Sequence, residues 1–376
     1  MKALLIDQIA KVNYKYTFPL ANGLEKAGIQ VDLVIDQKKE KENCVCNITR
    51  LFNTDEKDVG KFAKLRNYIR SYITISKMLE NDDIDIIHTE WYTFSPIDYL
   101  FLSWFKRKFK VKYVSTIHDI LPFNQKFYDM FFHRKLYKLA DSIILQAPSN
   151  IKRFDSLFPE STHKTHMIPH GHMLDYVEVA DKIKSRERLG IPKDKTVFLF
   201  FGQIKKVKGV DVLLQAVAEL ANKYSDFYVV IAGSVWKTDF IECEKIIQEK
   251  HLESFLKLDI RYIPDEEVKY YYSSSDACVL PYTDVYQSGV IQLAYGYKKA
   301  VISSDLSAFT QFVKEEKTGF VSKAGDYHSL ALALERALTQ KESLEQLGKN
   351  GYDLVRKELD WDILAKRIVE ECYYDI

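Results

Sequence analysis

Phe198-Leu199-Phe200-Phe201-Gly202-Gln203-Ile204-Lys205-Lys206-Val207-Lys208-Gly209 passes from an apolar run through a glycine into a lysine-rich loop. An amphipathic helix is expected straight after it, over residues 210–223. Strand, tight loop and helix in succession make the repeating unit of an α/β fold with a parallel sheet. Lysines between a strand end and a helix start lie where such a fold holds an anion. A solvated basic loop would use the same residues. A second stretch of the same kind lies downstream. Asp276-Ala277-Cys278-Val279-Leu280-Pro281-Tyr282 reads as a strand and its stop. Thr283-Asp284-Val285-Tyr286-Gln287-Ser288-Gly289-Val290 then leads into an apolar helix. A glycine at a helix entry lets backbone N–H groups approach a phosphate, and the helix dipole favours negative charge there. A plain N-cap at Ser288 and a turn at Gly289 would serve the helix equally well.

Outward from these stretches, the alternation continues in both directions. Further strands are expected at 196–201, 228–232, 256–260, 277–280 and 300–303, with helices around Glu244 and from Asp265. The N-terminal half has expected strands at 3–6, 31–35, 84–88, 112–118, 142–146 and 165–168. It has a polar loop over 7–14 and a helix over 19–27, stopped by Gly28. The fold class is therefore α/β, with two doubly wound Rossmann-like domains. These are expected over residues 1–172 and 190–355, with 172–194 as a linker carrying a short helix. Such sheets bind ligands at the C-terminal ends of their strands, and two facing sheets would leave a cleft between them.

Length and composition agree with this division. A chain of 376 residues exceeds what one hydrophobic core holds. The net charge of +1 gives no general attraction to nucleic acid. No run of about 18 apolar residues exists to span a membrane, and the apolar start at 3–6 is too short for a signal peptide. The five cysteines are scattered. Cys44 and Cys46 look too close to bridge, so a reduced, cytoplasmic setting is expected.

Four segments in order resemble the GT-B glycosyltransferases, and in particular the large family 4 of retaining enzymes. Phe201 to Asp211 resembles that family's stretch for the donor diphosphate. Ser288-Gly289-Val290-Ile291-Gln292-Leu293-Ala294, leading to Lys299-Ala300-Val301-Ile302, resembles its donor-binding helix and following strand. Thr116-Ile117-His118-Asp119-Ile120-Leu121-Pro122 resembles the N-domain His loop facing the transferred sugar, and Ile168-Pro169-His170-Gly171 the crossover between domains. The resemblance covers nearly the whole chain. It implies a GT-B fold whose last helix, 360–376, packs back on the first domain.

What it implies for the site follows residue by residue. His118, Lys205 and Lys208 would be catalytic, the lysines neutralising the departing diphosphate. Gly202, Gln203, Gln287, Ser288, Gly289 and Val290 would hold the donor. Ile263 and Glu267 lie in the loop and helix that would contact the nucleotide base. Tyr14, Glu90 and Asp119 fall on the acceptor side; Glu90, read from its place at a strand's C-terminal end, is the carboxylate to test as base if the enzyme inverts, and reads otherwise as a solvated loop residue. Lys205 stands where the family usually has Arg and lacks its bidentate fork. The family's paired donor-site glutamates fall at Val285 and Leu293, so Gln287 or Gln292 would meet the hydroxyls instead. A structural role suits His118 if the resemblance is set aside.

No cofactor or metal is expected. His170 and His172 lack a third ligand, and Asp83-Ile84-Asp85 reads as a strand entrance. The expected activity is transfer of a hexose from a nucleoside-diphosphate sugar to a glycan or lipid-linked acceptor in cell-surface polysaccharide synthesis, with retention. A GT-B nucleotide-sugar epimerase and a non-catalytic partner subunit are the rivals. Residues 95–110 read as a helix with Leu100, Phe101, Trp104 and Phe105 on one stripe and a cationic end. With 130–136 it suits the surface of an anionic membrane, or simply packs on the sheet.

Overall fold

The computed structural model describes residues 1–36, 44–52, 60–122, 125–237, 239–285 and 289–374. The chain divides into two compact units: Met1–Gly171 with Leu359–Ile376, and His172–Glu358.

The first unit holds a parallel sheet of β1 (Lys2–Asp7), β2 (Gln30–Ile35), β3 (Asn47–Arg50), β4 (Ile86–Thr89), β5 (Lys112–Ile117), β6 (Ser142–Leu145) and β7 (Thr165–Met167). Their order is 3-2-1-4-5-6-7. β1 and β4 are buried throughout or nearly so, as parallel strands covered on both faces must be. The second unit holds β8 (Thr196–Phe201), β9 (Phe227–Ala232), β10 (Leu256–Asp259), β11 (Ala277–Leu280), β12 (Ala300–Ser304) and β13 (Gly319–Ser322), in the order 10-9-8-11-12-13. In both sheets the order reverses beside the first strand, at β1/β4 and β8/β11. That switch point is where doubly wound sheets take their ligands.

Four features depart from the sequence reading. The first helix runs over Ala10–Lys26 with Pro19 inside it, so residues 10–14 are helical and not loop. One opening N–H group is met from a distance, Lys11 donating to Asp36 Oδ1 at 2.9 Å; Ile9, just before the helix, donates to nearby Asp7 Oδ1 at 2.9 Å. No local Ser/Thr cap signals such a start. β3 and β13, four residues each, carry too little periodicity to be read. Cys44 and Cys46 form a disulfide, Cα to Cα 5.5 Å, where the chain bends just before β3. Residues 172–194 also belong to the second unit, where helix Lys182–Leu189 is anchored by buried Arg186 on the Ser274 carbonyl (2.9 Å) and Asp276 (2.8 Å).

Helix Trp361–Ile368 returns to the first unit and crosses helix Ala10–Lys26 at Gly23. A Cβ on Gly23 would come within 2.8 Å of Ala365 Cβ, so only glycine allows the approach. Asp360 caps the returning helix through the Asp362 and Ile363 N–H groups. The turn after it, Val369–Tyr374, carries Tyr373, whose hydroxyl meets His88 Nδ1 at 2.8 Å, and whose carbonyl accepts from Lys112 Nζ at 2.9 Å.

The helix expected at 95–110 is Ser95–Phe109. Ser95 does not cap it; Asp98 accepts from the Phe94 N–H instead, at 3.1 Å. The expected stripe is divided. Phe105 is buried and Phe101 stacks on Tyr72 at 4.7 Å, whereas Leu100 and Trp104 are exposed. Among the described residues no helix is long and apolar enough to cross a membrane.

Candidate functional site

In the second unit, the strand ends at β8 and β9 approach so closely that glycine is required. Gly202 has φ +126°, and a Cβ on Gly233 would lie 1.9 Å from the Gly202 carbonyl oxygen. The chain then turns through Lys206–Lys208 and enters helix Val210–Ala221 at Gly209. The Thr283 N–H, after β11, donates to the Val207 carbonyl at 2.9 Å and ties this loop down.

The three lysines of the loop differ in their surroundings. Lys206 is exposed and pairs with Asp211 at 2.8 Å. Lys205 lies over the Trp236 ring at 4.9 Å. Lys208 is half-buried, with its ammonium 3.8 Å from the centre of the Tyr282 ring. No carboxylate of a described residue pairs with Lys208. Burial first, and the charge of Lys205 second, push its pKa down to about 8. A partly desolvated cation held on an aromatic face is poised to gain from an anion.

Helix Gly289–Gly296 begins beside this loop: Val290 Cγ2 lies 3.8 Å from where a Cβ on Gly202 would be. Gly202, Lys208 and the Gly289–Val290 helix entry thus belong to one end of one sheet. Gln203 is exposed. Gln287 and Ser288 lie outside the described residues. Ile263 is buried, and Glu267 is held by Arg261 at 2.5 Å, which also grips Asp259 at 2.8 Å. Gln292 is buried on the helix.

In the first unit, the end of the sheet gathers a polar cluster. His118 follows β5; its ring stacks on Trp91 (4.9 Å, 9°) and meets the edge of Tyr16 (4.7 Å). Burial lowers its pKa to about 4, so the imidazole is neutral. Glu90 follows β4, fully buried, with Oε2 3.4 Å from His118 Nε2. Asp119 is exposed. Tyr14 packs edge-on against Phe18 at 6.3 Å. The tyrosine that reaches the histidine is Tyr16, which the sequence reading passed over. It passed over Asp7, Asn13, Thr17 and Trp91 as well. Asp7 could have been found as the last residue of the first strand; Asn13 and Thr17 needed the helix read correctly, since they share a face only one turn apart.

Glu90 Oε1, Trp91 Nε1 and His118 Nε2 are buried without a hydrogen-bond partner. Each such atom costs ~1–3 kcal/mol. All three residues line one cavity of about 80 Å³. Such a gathering of unmet groups suits a ligand better than a core. Gln8, one residue past β1, ties down the chain that follows Glu90 by accepting from the Thr93 N–H at 2.8 Å and donating to Asp98 at 3.0 Å.

His170 and His172 fall in different units. Asp85 stands just before β4, at the opposite end of the strands, and accepts from the Lys2 N–H at 2.7 Å. Among the described residues no group of three or more His, Cys, Asp or Glu is placed to hold a metal ion.

Both halves match known families. Residues 181–354 match glycosyl transferases group 1, and residues 15–176 match glycosyltransferase family 4. The chain belongs to the GT-B glycosyltransferases. A D-inositol 3-phosphate glycosyltransferase of Nocardioides sp. is 23% identical over 251 residues, 63% of this chain and 54% of the relative. A lipopolysaccharide 1,2-N-acetylglucosaminetransferase of Salmonella typhimurium is 25% identical over 212 residues, 54% of this chain and 55% of the relative. The chain spans about half the length of the curated relatives it matches. Among solved structures, Anabaena Alr3699/HepE in complex with UDP superposes with a TM-score of 0.70 at 16% identity, covering 98% of this chain and 99% of that one. As a GT-B glycosyltransferase, the protein carries its lysine loop in the half that matches group 1, and His118 and Glu90 in the half that matches family 4.

Proposed function

We propose that this protein transfers a hexose from a nucleoside-diphosphate sugar to a glycan or lipid-linked acceptor, in the building of a cell-surface polysaccharide. The observation that carries the reading is Lys208, a half-buried cation with no carboxylate partner among the described residues, beside Gly202 and a helix entry. Lys208, Lys205 and the N–H groups at Gly289 and Val290 would take up the charge of the departing diphosphate, so the reading needs no metal. Gln203, Ile263 and Glu267 lie in the segments assigned to the nucleotide, with Gln287 and Ser288 leading into its helix. His118, neutral, would hydrogen-bond the sugar. Retention of configuration rests on the resemblance to family 4. The UDP complex of a structural neighbour makes UDP the first nucleotide to try.

The test is thermal unfolding with UDP, ADP, GDP and TDP. One of them should raise the midpoint, since a ligand that binds only the folded state stabilises it. A chain that responds to none is not a nucleotide-sugar transferase.

The same reading places the protein at the surface of an anionic membrane. Exposed Leu100, Trp104 and Phe131 adjoin Lys108, which lies 5.0 Å over Trp104, and Lys135, 4.7 Å over Phe131. Aromatic rings beside cations suit the headgroup boundary, where each cation adds ~1 kcal/mol. Vesicles rich in phosphatidylserine should sediment the protein at low salt, and Trp104→Glu should abolish this. Equal binding to neutral vesicles removes the electrostatic half of the proposal.

A further inference from the structure

Asp7 and Glu90 lie side by side, and among the described residues no Lys or Arg pairs with either. They share two donors from helix Ala10–Lys26. Thr17 Oγ1 is 2.5 Å from Asp7 Oδ2 and 3.1 Å from Glu90 Oε2. Asn13 Nδ2 is 3.2 Å and 2.7 Å from the same two oxygens. The amide has two protons and can serve both carboxylates. The hydroxyl has one. Its shorter contact, to Asp7, takes that proton, and a full second bond to Glu90 forms when Glu90 carries a proton of its own and donates it to the hydroxyl oxygen.

We propose that Asp7 and Glu90 hold one proton between them, and that Glu90 so loaded presents Oε1, with His118 Nε2 and Trp91 Nε1, to a hydroxyl of an uncharged sugar. Asp7 is the positioning residue of this arrangement, and Glu90 the group that touches the ligand. The proposal rests on the glycosyltransferase reading only in naming the ligand a sugar.

The surroundings support the shared proton. Both carboxyls are fully buried. Burial raises Asp7 to about 7, helped by the charge of Glu90, and burial raises Glu90 to about 8. Glu90 is faced by Asp7 from β1, Tyr16 from the helix, His118 from beyond β5 and Tyr373 from the C-terminal turn. Asp119 acts on His118. None of these supplies a positive charge at neutral pH, because burial keeps His118 neutral. Two bare carboxylates this close would repel each other, so one proton is retained.

A neutral carboxyl has consequences for recognition. It can donate as well as accept, as can an imidazole, while the indole only donates. Such a set matches a hydroxyl, which does both. A phosphate or carboxylate would meet the negative charge left on the pair. The cavity of about 80 Å³ admits a small group and not a whole saccharide, so one hydroxymethyl or hydroxyl arm would enter while the ring stays outside.

Two measurements on the full chain test this. Infrared difference spectra, taken well below and well above the pair's titration range of about 7 to about 8, should show a protonated carboxyl stretch. Glu90→Gln should remove it. Saturation-transfer NMR with glucose, galactose and mannose as neutral probes should detect binding that falls about tenfold as the shared proton is lost, a loss of one charge-appropriate hydrogen bond. Glu90→Gln should bind without that pH dependence, since an amide cannot ionise. Asp7→Asn should move the profile to lower pH, a change a merely structural residue would not cause. Glu90→Ala should lose the sugar signal. Absence of a protonated carboxyl, absence of any sugar signal, or retention of it in Glu90→Ala overturns the proposal. The UDP melting shift is read in parallel: if it fails in the wild type while the sugar signal follows Glu90, the transferase reading falls and this one stands.

Discussion

Lys208→Ala is expected to weaken binding of the nucleoside diphosphate by roughly 10- to 100-fold, the loss of one hydrogen bond to a charged group worth ~1.5–3 kcal/mol. The ammonium is half-buried and partly stripped of water, and it rests on the Tyr282 face, 3.8 Å away, with no carboxylate partner among the described residues. Its pKa of about 8 records that deficit. A bound diphosphate would restore the charge and raise the pKa. The sign follows. Below about 8 the lysine is already charged and affinity is full. As pH rises through about 8, binding must also take up a proton, and affinity falls by up to tenfold per pH unit. Lys208→Ala should remove this slope along with most of the affinity. Isothermal titration across that range, in buffers of different ionisation enthalpy, measures both the dissociation constant and the proton uptake. Lys206→Ala is the matched control. Its charge is already paired with Asp211 at 2.8 Å in the open, so its removal should change affinity little. An equal loss in the two variants would mean that only the loop's overall charge matters.

How far the sequence foretold this site depends on the kind of interaction. Chain-local features were legible. The apolar run 198–201, the glycine after it and the lysines before Gly209 lie within a dozen residues, and the structure brings Gly202 close to Val290 at the next helix entry. Features completed from elsewhere in the chain were not. Nothing beside Lys206 in the sequence shows that Asp211 takes its charge while Lys208 has none to pair with. The pairing depends on which way each side chain leaves a short 3-10 turn. Asp7 was overlooked because the segment after it reads as polar loop. That segment is the start of a helix: Asp7 takes the N–H just before it, and Asp36 takes that of Lys11, 25 residues away. With the helix unread, Asn13 and Thr17 could not be placed on one face beside Glu90. The amphipathic stripe on residues 95–110 was overread for a similar reason: periodicity gives a face its width, but the neighbouring Tyr72 decides that Phe101 turns inward while Trp104 stays exposed.

Gly209→Ala should destabilise the second unit by roughly 2–4 kcal/mol and weaken nucleotide binding with it. Two separate costs meet at this residue. Its φ is +65°, the left-handed region where an L side chain is strained by ~1–2 kcal/mol. A Cβ would also stand 2.0 Å from the Pro281 carbonyl oxygen, a backbone atom that no rotamer change can move aside. The second cost can be isolated with Gly190→Ala. Gly190 has the same φ, +65°, but a Cβ there meets nothing within 4 Å. It should lose only the conformational part. For a unit of this size, each kcal/mol moves the unfolding midpoint by ~2–4 °C, so Gly209→Ala should melt about 4–15 °C lower and Gly190→Ala only a few degrees. Relief of the clash would push the loop away from Pro281 and so strain the bond from the Thr283 N–H to Val207, 2.9 Å long at present. Lys208 would then move off the Tyr282 ring, and the lysine's position, not its charge, would be lost. At low temperature, where both variants are folded, any binding that survives should therefore lack the pH dependence in both, and what sets Gly209→Ala apart is its lower melting. Equal melting of Gly209→Ala and Gly190→Ala would show that the approach to Pro281 contributes nothing, and that the loop holds its lysines by backbone conformation alone.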